Sequence, residues 1–346
     1  MAGTVKVAVI GLGSVGQAVT RLLLQTPGIK LVGTADSAPL VGGQDLGVVL
    51  GLPRKLRAKV EGNPDRFIKK LRADVAFVCT SSHLKAVKPL LLALVSRRVR
   101  VLTTCEELAF PTPPRAAAFR EIDRVARSRK VAVLASGLNP GFAMDALALM
   151  LSAPCTGVRR VSVTRVLDAG TRKLPLQRRV GAGLTLGQFR RAVTEGTVRH
   201  VGLVESVHMI ASALGWKLDR VDETLEPAIA PRDLDTEHLR IAAGAAAGIR
   251  QSARGYRKGE LVVSLDLQVY VGAESPRDHI LVDAVPPVDA TISGGVSGDA
   301  ATAALLVNTL PRLLAAPAGL LTAKDLPLVH ALNPQELTAA LGTGRR

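Results

Sequence analysis

The stretch GLGSVG at residues 11–16 places the strongest constraint on how this chain can fold. It follows the continuous apolar run VKVAVIG (5–11), which is typical of a strand buried on both faces. It also opens the amphipathic stretch SVGQAVTRLLLQ (14–25), which predicts a helix. Glycines at this spacing permit a tight turn, close approach of a pyrophosphate, and close packing of helix on strand. The pattern therefore predicts a dinucleotide-binding domain.

Asp36 indicates which nicotinamide cofactor such a loop would bind. It ends the second apolar run, 36 − 16 = 20 residues beyond Gly16, where a carboxylate accepts a ribose 2′-hydroxyl and repels a 2′-phosphate. NAD is slightly favoured, while Arg54 and Lys55 keep NADP open. Glycines that merely form a tight turn are the alternative. The expected cofactor contacts are Gly11, Gly13, Ser14, Val15, Gly16, Asp36, Thr80, Ser81, Thr104 and Asn139.

The order of apolar and amphipathic segments predicts the fold class. Strand-like and helix-like stretches alternate through residues 1–145, as in an α/β, doubly wound parallel sheet of the Rossmann type. Alternating segments at 158–169 and 260–273 then predict an α+β central domain with an open sheet, within residues 146–298. The remainder, 299–346, begins with an Ala-rich helix expected to return to the Rossmann domain, with a kink or stop at Pro311.

Charge and hydropathy exclude several classes of protein. Lys and Arg number 45 against 29 Asp and Glu, but the basic residues are scattered and aromatic residues make up only 3%, which argues against nucleic-acid binding. No uncharged apolar run reaches the length of a membrane helix, and the N-terminus lacks the pattern of a signal peptide. We expect a cytoplasmic protein.

Cys79, Cys105 and Cys155 are odd in number and widely spaced, without a CxxC pair. Reduced, mostly buried thiols are the expectation, and no metal site is predicted.

The stretch TTCEE (103–107) follows an apolar run that predicts a buried strand. Ligands of a doubly wound sheet lie beyond the carboxyl ends of its strands, so at least one of Glu106 and Glu107 should lie near the nicotinamide. A partly desolvated carboxylate there could transfer protons near neutral pH. Alternatively, both acids cap a turn before Pro111.

Several motifs together resemble one family. These are GLGSVG, TTCEELAFP, GLNPGFAMD, RHVGLVESVHMIASALGW and ISGGVSGDAATAALLVNTLPRLLAAPAGLLTAKDLP. In this order they resemble the 2,4-diaminopentanoate dehydrogenases and native amine dehydrogenases, relatives of dihydrodipicolinate reductase in fold. The adjacent histidines and nearby lysine of the reductases proper are missing from this chain.

The resemblance implies NAD(P)-dependent oxidative deamination of an amine to a ketone and ammonia, or the reverse, in a homodimer formed by the central domain. It implies Glu106 as the catalytic carboxylate, with Glu107 as the fallback. The substrate would bind over the nicotinamide between the domains. Candidate pocket residues are Phe142, Met144, Arg165, Arg178, His200, His208 and Thr302. A reductase of another carbonyl or cyclic imine, and a redox sensor without turnover, are the alternatives.

Overall fold

A computed structural model describes residues 4–296 and 298–343 of the 346-residue chain. Its strands are β1 (Val5–Ile10), β2 (Ile29–Ala35), β3 (Val75–Val78), β4 (Arg100–Thr103), β5 (Ala132–Ala135), β6 (Thr156–Asp168), β7 (Arg220–Ile229), β8 (Leu234–Asp235), β9 (Arg240–Ile241), β10 (Ala246–Arg257), β11 (Glu260–Tyr270), β12 (Arg277–Val285), β13 (Val288–Ser293) and β14 (Gly319–Leu321). Its α-helices are α1 (Ser14–Gln25), α2 (Leu46–Val49), α3 (Pro64–Lys70), α4 (Leu84–Ser96), α5 (Ala116–Arg129), α6 (Ala146–Leu151), α7 (Leu174–Arg179), α8 (Leu186–Thr194), α9 (Leu203–Ala213), α10 (Gly298–Ala315) and α11 (Pro334–Thr343). Short 3-10 helices span Glu106–Leu108, Pro113–Arg115 and Ala323–Asp325.

The contacts divide the chain into two compact units. The first comprises Met1–Gly141 and Ser297–Arg346, and the second comprises Phe142–Val296. The division falls at Gly141, slightly before the boundary that we predicted at residue 145. The ends of the predicted first and last segments, residues 1–3 and 344–346, lie outside the described residues.

The first unit contains a six-stranded parallel sheet in the order β14-β5-β4-β3-β1-β2. The side chains of β1 are divided between two hydrophobic cores, one on each face of the sheet. Val5, Val7 and Val9 join the core that includes α1 and α10, and Ala8 and Ile10 join the core that includes α4 and α5. Because both faces are covered by helices, the central strands are continuously apolar rather than alternating. The predicted Rossmann sheet is confirmed.

Helix α10 lies in the first unit, as the predicted return of the C-terminal segment requires. Its buried residues include Ala303, Leu306 and Leu310, which join the same core as Val19 of α1. Of the kink or stop predicted at Pro311, the stop does not occur, because α10 continues to Ala315.

The second unit contains a six-stranded mixed sheet in the order β13-β12-β6-β11-β10-β7. Strands β6 and β11 are parallel and the other neighbours are antiparallel. One face carries the second unit's core, to which helices α8 and α9 contribute Phe189, Leu203, Val207 and Ile210. The predicted open sheet is confirmed.

Candidate active site

The segments that follow β1, β3, β4 and β5 lie side by side at the carboxyl edge of the first sheet. Backbone hydrogen bonds extend beyond the strand ends, from Cys79 N to Ile10 O at 2.8 Å and from Thr104 N to Val78 O at 3.1 Å. Ser136 N likewise donates to Thr103 O at 2.9 Å. Parallel pairing therefore brings the glycine loop, the segment after β3 and the TTCEE stretch to one edge, where ligands of this fold bind.

The glycine loop has the shape that a pyrophosphate needs. Gly11 has φ +91°, and a Cβ on it would lie 2.4 Å from the Cys79 carbonyl oxygen. A Cβ on Gly16 would lie 1.9 Å from the Gly11 carbonyl oxygen, so helix α1 touches the loop backbone. A Cβ on Gly13 would meet nothing within 4 Å. The two outer glycines are thus required by packing, while the middle one faces open space at the N-terminus of α1, which suits a phosphate.

The Asp36 carboxylate is fixed beside this loop. Its Oδ2 accepts a hydrogen bond of 2.6 Å from Leu12 N, and its Oδ1 accepts one of 2.7 Å from Ala38 N. Each carboxylate oxygen can accept a second hydrogen bond, so Asp36 retains acceptor capacity for a ribose hydroxyl. The loop and this carboxylate fit the adenosine and pyrophosphate of a dinucleotide.

The structure shows which groups hold the second of the two adjacent acids, Glu107. Glu107 Oε1 accepts hydrogen bonds from Arg115 Nη2 at 2.6 Å and from the His83 ring at 3.1 Å, while its Oε2 accepts one from Leu84 N at 2.8 Å. Burial alone would raise the pKa of Glu107, but these hydrogen bonds together lower it. Glu107 therefore caps the N-terminus of α4 as a carboxylate held ionised.

Glu106 precedes it, at the start of the 3-10 helix Glu106–Leu108, and is partly buried. Its negative charge is one of the causes, after burial, that raise the pKa of the neighbouring Cys105 thiol to about 12. The charge of Glu106 thus lies within the site and close to the end of β4.

The two thiols at this edge are unreactive. Burial raises the pKa of Cys79 and that of Cys105 to about 12, so neither forms a thiolate near neutral pH. The Cys105 thiol donates to Ser82 O at 3.3 Å, which makes it a packing group between two loops. Among the described residues, no cluster of three His, Cys, Asp or Glu side chains could hold a metal ion.

The remaining cofactor candidates lie where the fold places its loops. Ser81 Oγ accepts from His83 N at 3.2 Å, and Thr80 is exposed directly after β3. Asn139 lies in the loop after β5, next to Leu138, whose backbone N–H donates to Thr302 Oγ1 at 3.3 Å. Thr302 is therefore part of the first unit, close to this loop.

Arg165, a predicted pocket residue, has a structural partner in the second unit. Its Nη1 donates to both carboxylate oxygens of Asp278 at 2.7 Å, and its Nη2 donates to Val296 O. Arg165 is 2% exposed and Asp278 is fully buried. Val296 N completes the arrangement by donating to Asp278 Oδ2 at 2.9 Å. This buried pair connects β6, β12 and the end of the second unit.

The other candidate pocket residues of the second unit have different surroundings. Met144 is fully buried in the hydrophobic core, and Arg178 is exposed at the end of α7. Phe142 and His208 are partly buried, and burial lowers the pKa of His208. His200 has a buried Nε2 atom and three neighbouring arginines, Arg179, Arg165 and Arg199. The second unit thus places the charge of Arg165 near His200.

Comparison with known proteins identifies the family. The model of the 2,4-diaminopentanoate dehydrogenase C-terminal domain matches residues 142–340. The chain is 31% identical over 335 residues to the 2,4-diaminopentanoate dehydrogenase of Acetoanaerobium sticklandii, with 95% of each chain covered. The chain belongs to the 2,4-diaminopentanoate dehydrogenase family. The predicted resemblance is confirmed, and with it the predicted class of enzyme, an oxidoreductase that acts on an amine.

Two more distant relatives agree with this assignment. The amine dehydrogenase of Streptomyces virginiae is 22% identical over 360 residues, covering 95% of this chain and 98% of its own. The solved structure of an amine dehydrogenase from Mycobacterium smegmatis superposes with a TM-score of 0.84 at 21% identity, covering 95% of this chain and 98% of that one. Because the superposition covers 95% of this chain, the similarity in fold includes both of its units. No helix among the described residues is long and apolar enough to cross a membrane.

Sequence reasoning did not identify Arg115, Asp278 or Gln251 as residues of interest. Arg115 holds Glu107, Asp278 holds Arg165, and Gln251 hydrogen-bonds the backbone of His200. Their partners are 8, 113 and 51 residues away in the chain. No local pattern signals such contacts.

Proposed function

We propose that the protein interconverts an amine with a ketone and ammonia, and that Glu106 is the carboxylate that transfers protons. The observation that carries this role is the engagement of Glu107. Three hydrogen bonds, from Arg115, His83 and Leu84, fix Glu107 at the N-terminus of α4 and lower its pKa. A carboxylate held ionised in this way is a poor proton shuttle near neutral pH. Glu106, at the same strand end, is the remaining acid of the TTCEE stretch.

In the reductive direction, ammonia adds to the ketone carbon. Glu106 accepts a proton from the attacking nitrogen and passes it to the former carbonyl oxygen, which gives the carbinolamine. A second proton, released when ammonium supplies the ammonia, passes through Glu106 to the carbinolamine hydroxyl, which then leaves as water. The negative charge of the carboxylate stabilises the iminium cation that results. When bound, the nicotinamide supplies the hydride to the iminium carbon, or accepts it in the reverse direction. The protonated thiols of Cys79 and Cys105 take no part.

The protein binds NAD in preference to NADP. The Asp36 carboxylate, held by Leu12 N and Ala38 N, would meet a ribose 2′-hydroxyl as an acceptor and a 2′-phosphate as a like charge. Replacing Asp36 with Asn removes the repulsion while keeping an acceptor. The Kd for NADP+ should fall relative to that for NAD+ in this variant, as measured by fluorescence titration, whereas an unchanged ratio would oppose this role.

The protein forms a homodimer through the outer face of the second sheet. Ser162, Thr164, Ser264 and Asp266 are partly exposed on that face, where Ser162 pairs with Ser264 and Thr164 with Asp266. Leu281, which pairs with Ser162, is 37% exposed. A face of polar side chains that also carries an exposed apolar residue suits pairing with a second copy. Sedimentation of the wild type as a dimer and of Thr164→Arg as a monomer is the expected result.

The function is tested by a screen of amines and ketones against NAD(H) and NADP(H). In the reductive direction each ketone is supplied with and without ammonium. Oxidation of the reduced cofactor that requires both ketone and ammonium is the expected result. Oxidation by a ketone or cyclic imine without ammonium would instead identify a reductase. Tight cofactor binding without turnover of any substrate would identify a redox sensor.

A further inference from the structure

His200 carries a buried hydrogen-bonding atom that the second unit does not use. Its Nε2 is buried, and no described residue hydrogen-bonds to it. A buried polar atom without a partner destabilises the fold, so such an atom in a precisely held residue calls for a functional reason.

Gln251 holds His200 in place. This side chain on β10 is 2% exposed, and its Oε1 accepts a hydrogen bond of 2.9 Å from His200 N. Its Nε2 donates to His200 O at 2.7 Å and to Glu223 Oε1 at 2.8 Å. Because one oxygen accepts and both amide hydrogens donate, the orientation of the Gln251 amide is fixed by chemistry. Glu223 also pairs with Arg199, so Arg199 and His200, which precede α9 by four and three residues, are held by one network.

The surroundings determine what His200 can bind. Burial first, and then the charges of Arg179, Arg165 and Arg199, lower its pKa to about 3. The ring is therefore uncharged at neutral pH and carries one N–H donor and one acceptor nitrogen. Arg165 and Arg199 are paired with Asp278 and Glu223, yet the three guanidinium groups still disfavour a positive charge on the His200 ring. They therefore favour an electron-rich oxygen there and oppose an ammonium group.

We propose that Gln251 is a positioning residue that holds His200 as an uncharged hydrogen-bond donor to an oxygen of the bound substrate. The inference rests on the proposed amine dehydrogenase function and names the part of the substrate that the second unit recognises. That oxygen belongs either to the ketone carbonyl or to a carboxylate elsewhere in the substrate. The amine nitrogen does not bind at His200.

Two matched probes distinguish the sources of the oxygen. The keto acid 5-oxohexanoate and the ketone 6-methylheptan-2-one have the same chain shape, and only the first carries a carboxylate. Both are assayed with NADH and ammonium in the wild type, His200→Phe and Gln251→Leu. We expect KM to rise at least about tenfold in both variants, the loss of roughly one hydrogen bond, with a smaller change in kcat and no change in the Kd for NADH. A rise for the keto acid alone identifies a carboxylate, and a rise for both identifies the carbonyl.

Gln177→Leu is the matched control. Gln177 is also fully buried in the second unit and donates to backbone carbonyls, those of Gly170 and Arg172, but it does not contact His200. Its KM for both probes should match the wild type. An unchanged KM in His200→Phe or Gln251→Leu, or an equal rise in Gln177→Leu, would overturn the inference.

Calorimetric titration of each probe separates this inference from the proposed function. Binding that weakens in His200→Phe, in a wild type that turns over neither probe, would support the role of His200 and count against the dehydrogenase function. Turnover with normal KM in every variant would support the function and overturn the role of His200 and Gln251. A wild type that neither binds nor turns over either probe would overturn both.

Discussion

The Arg115 guanidinium donates a hydrogen bond of 2.6 Å to Glu107, the second of two adjacent acids. It helps to fix Glu107, which is 14% exposed, at the N-terminus of α4, where the partial positive charge of the helix end also stabilises the carboxylate. The catalytic role that we propose for Glu106 rests on this engagement of its neighbour.

Glu107→Gln should lower stability without abolishing catalysis. The loss of a charged hydrogen bond to Arg115 costs about 1–2 kcal/mol of unfolding free energy at pH 7, measured by urea denaturation. Because the pKa of Glu107 is lowered in the folded protein, its contribution is present above the ordinary value of 4.5 and is lost as the pH falls below it. Wild type and variant should therefore converge in stability under acid conditions. A difference that grows on acidification would contradict this.

Asp278→Asn should be strongly destabilising. The change leaves the Arg165 charge buried at 2% exposure with a neutral partner, at a cost of about 3–5 kcal/mol. Replacing both residues, as Arg165→Met with Asp278→Leu, should recover most of that loss, because a buried ion pair is worth little compared with apolar packing. Thermal and urea unfolding of the three proteins measure both effects. A loss under 1 kcal/mol in the single variant would mean that water reaches the pair.

His200 should make the folded protein sensitive to acid. Its pKa is about 3 when folded against 6.5 ordinarily, so the unfolded chain takes up a proton below pH 6.5 that the native state does not. Between these values the free energy of unfolding falls by about 1.4 kcal/mol per pH unit from this group. The stability of His200→Phe should fall less steeply from pH 7 to pH 4 than that of the wild type. Parallel slopes would show that His200 accepts a proton in the native state.

The thiols of Cys79 and Cys105 should resist alkylation in the native protein. Both have a pKa of about 12, so little thiolate forms at pH 8. Peptide mass spectrometry after iodoacetamide treatment should find these positions unmodified in the native state and modified after denaturation. Rapid native labelling of Cys105 would place it in an exposed, reactive environment.

The first unit could be predicted well because its signals are local. Each pattern is recognisable within about a dozen residues, whether it predicts a buried strand, an amphipathic helix or the glycine loop. Asp36 follows the glycine loop at a fixed spacing. Strands β7, β10, β12 and β13 were not identified, since their alternation is interrupted by charged residues and their pairing partners are distant in sequence. Gln251 and Asp278 lie on two of these strands, so their contacts in the second unit could not be predicted either.

The adjacent acids show the same limit at the level of one residue. Glu106 and Glu107 are chemically identical and follow the same strand, and Glu107 is held by His83 and Arg115, which are 24 and 8 residues away in the chain. The family resemblance favoured Glu106, and the engagement of Glu107 supports that proposal.

The central claim is tested most directly by measuring ammonium-dependent ketone reduction in Glu106→Gln and Glu107→Gln beside the wild type, with the Kd for NADH measured in each. The account predicts that Glu106→Gln binds NADH normally and loses about tenfold to a hundredfold or more in rate, whereas Glu107→Gln retains a rate of the wild-type order. Normal turnover in Glu106→Gln would contradict it.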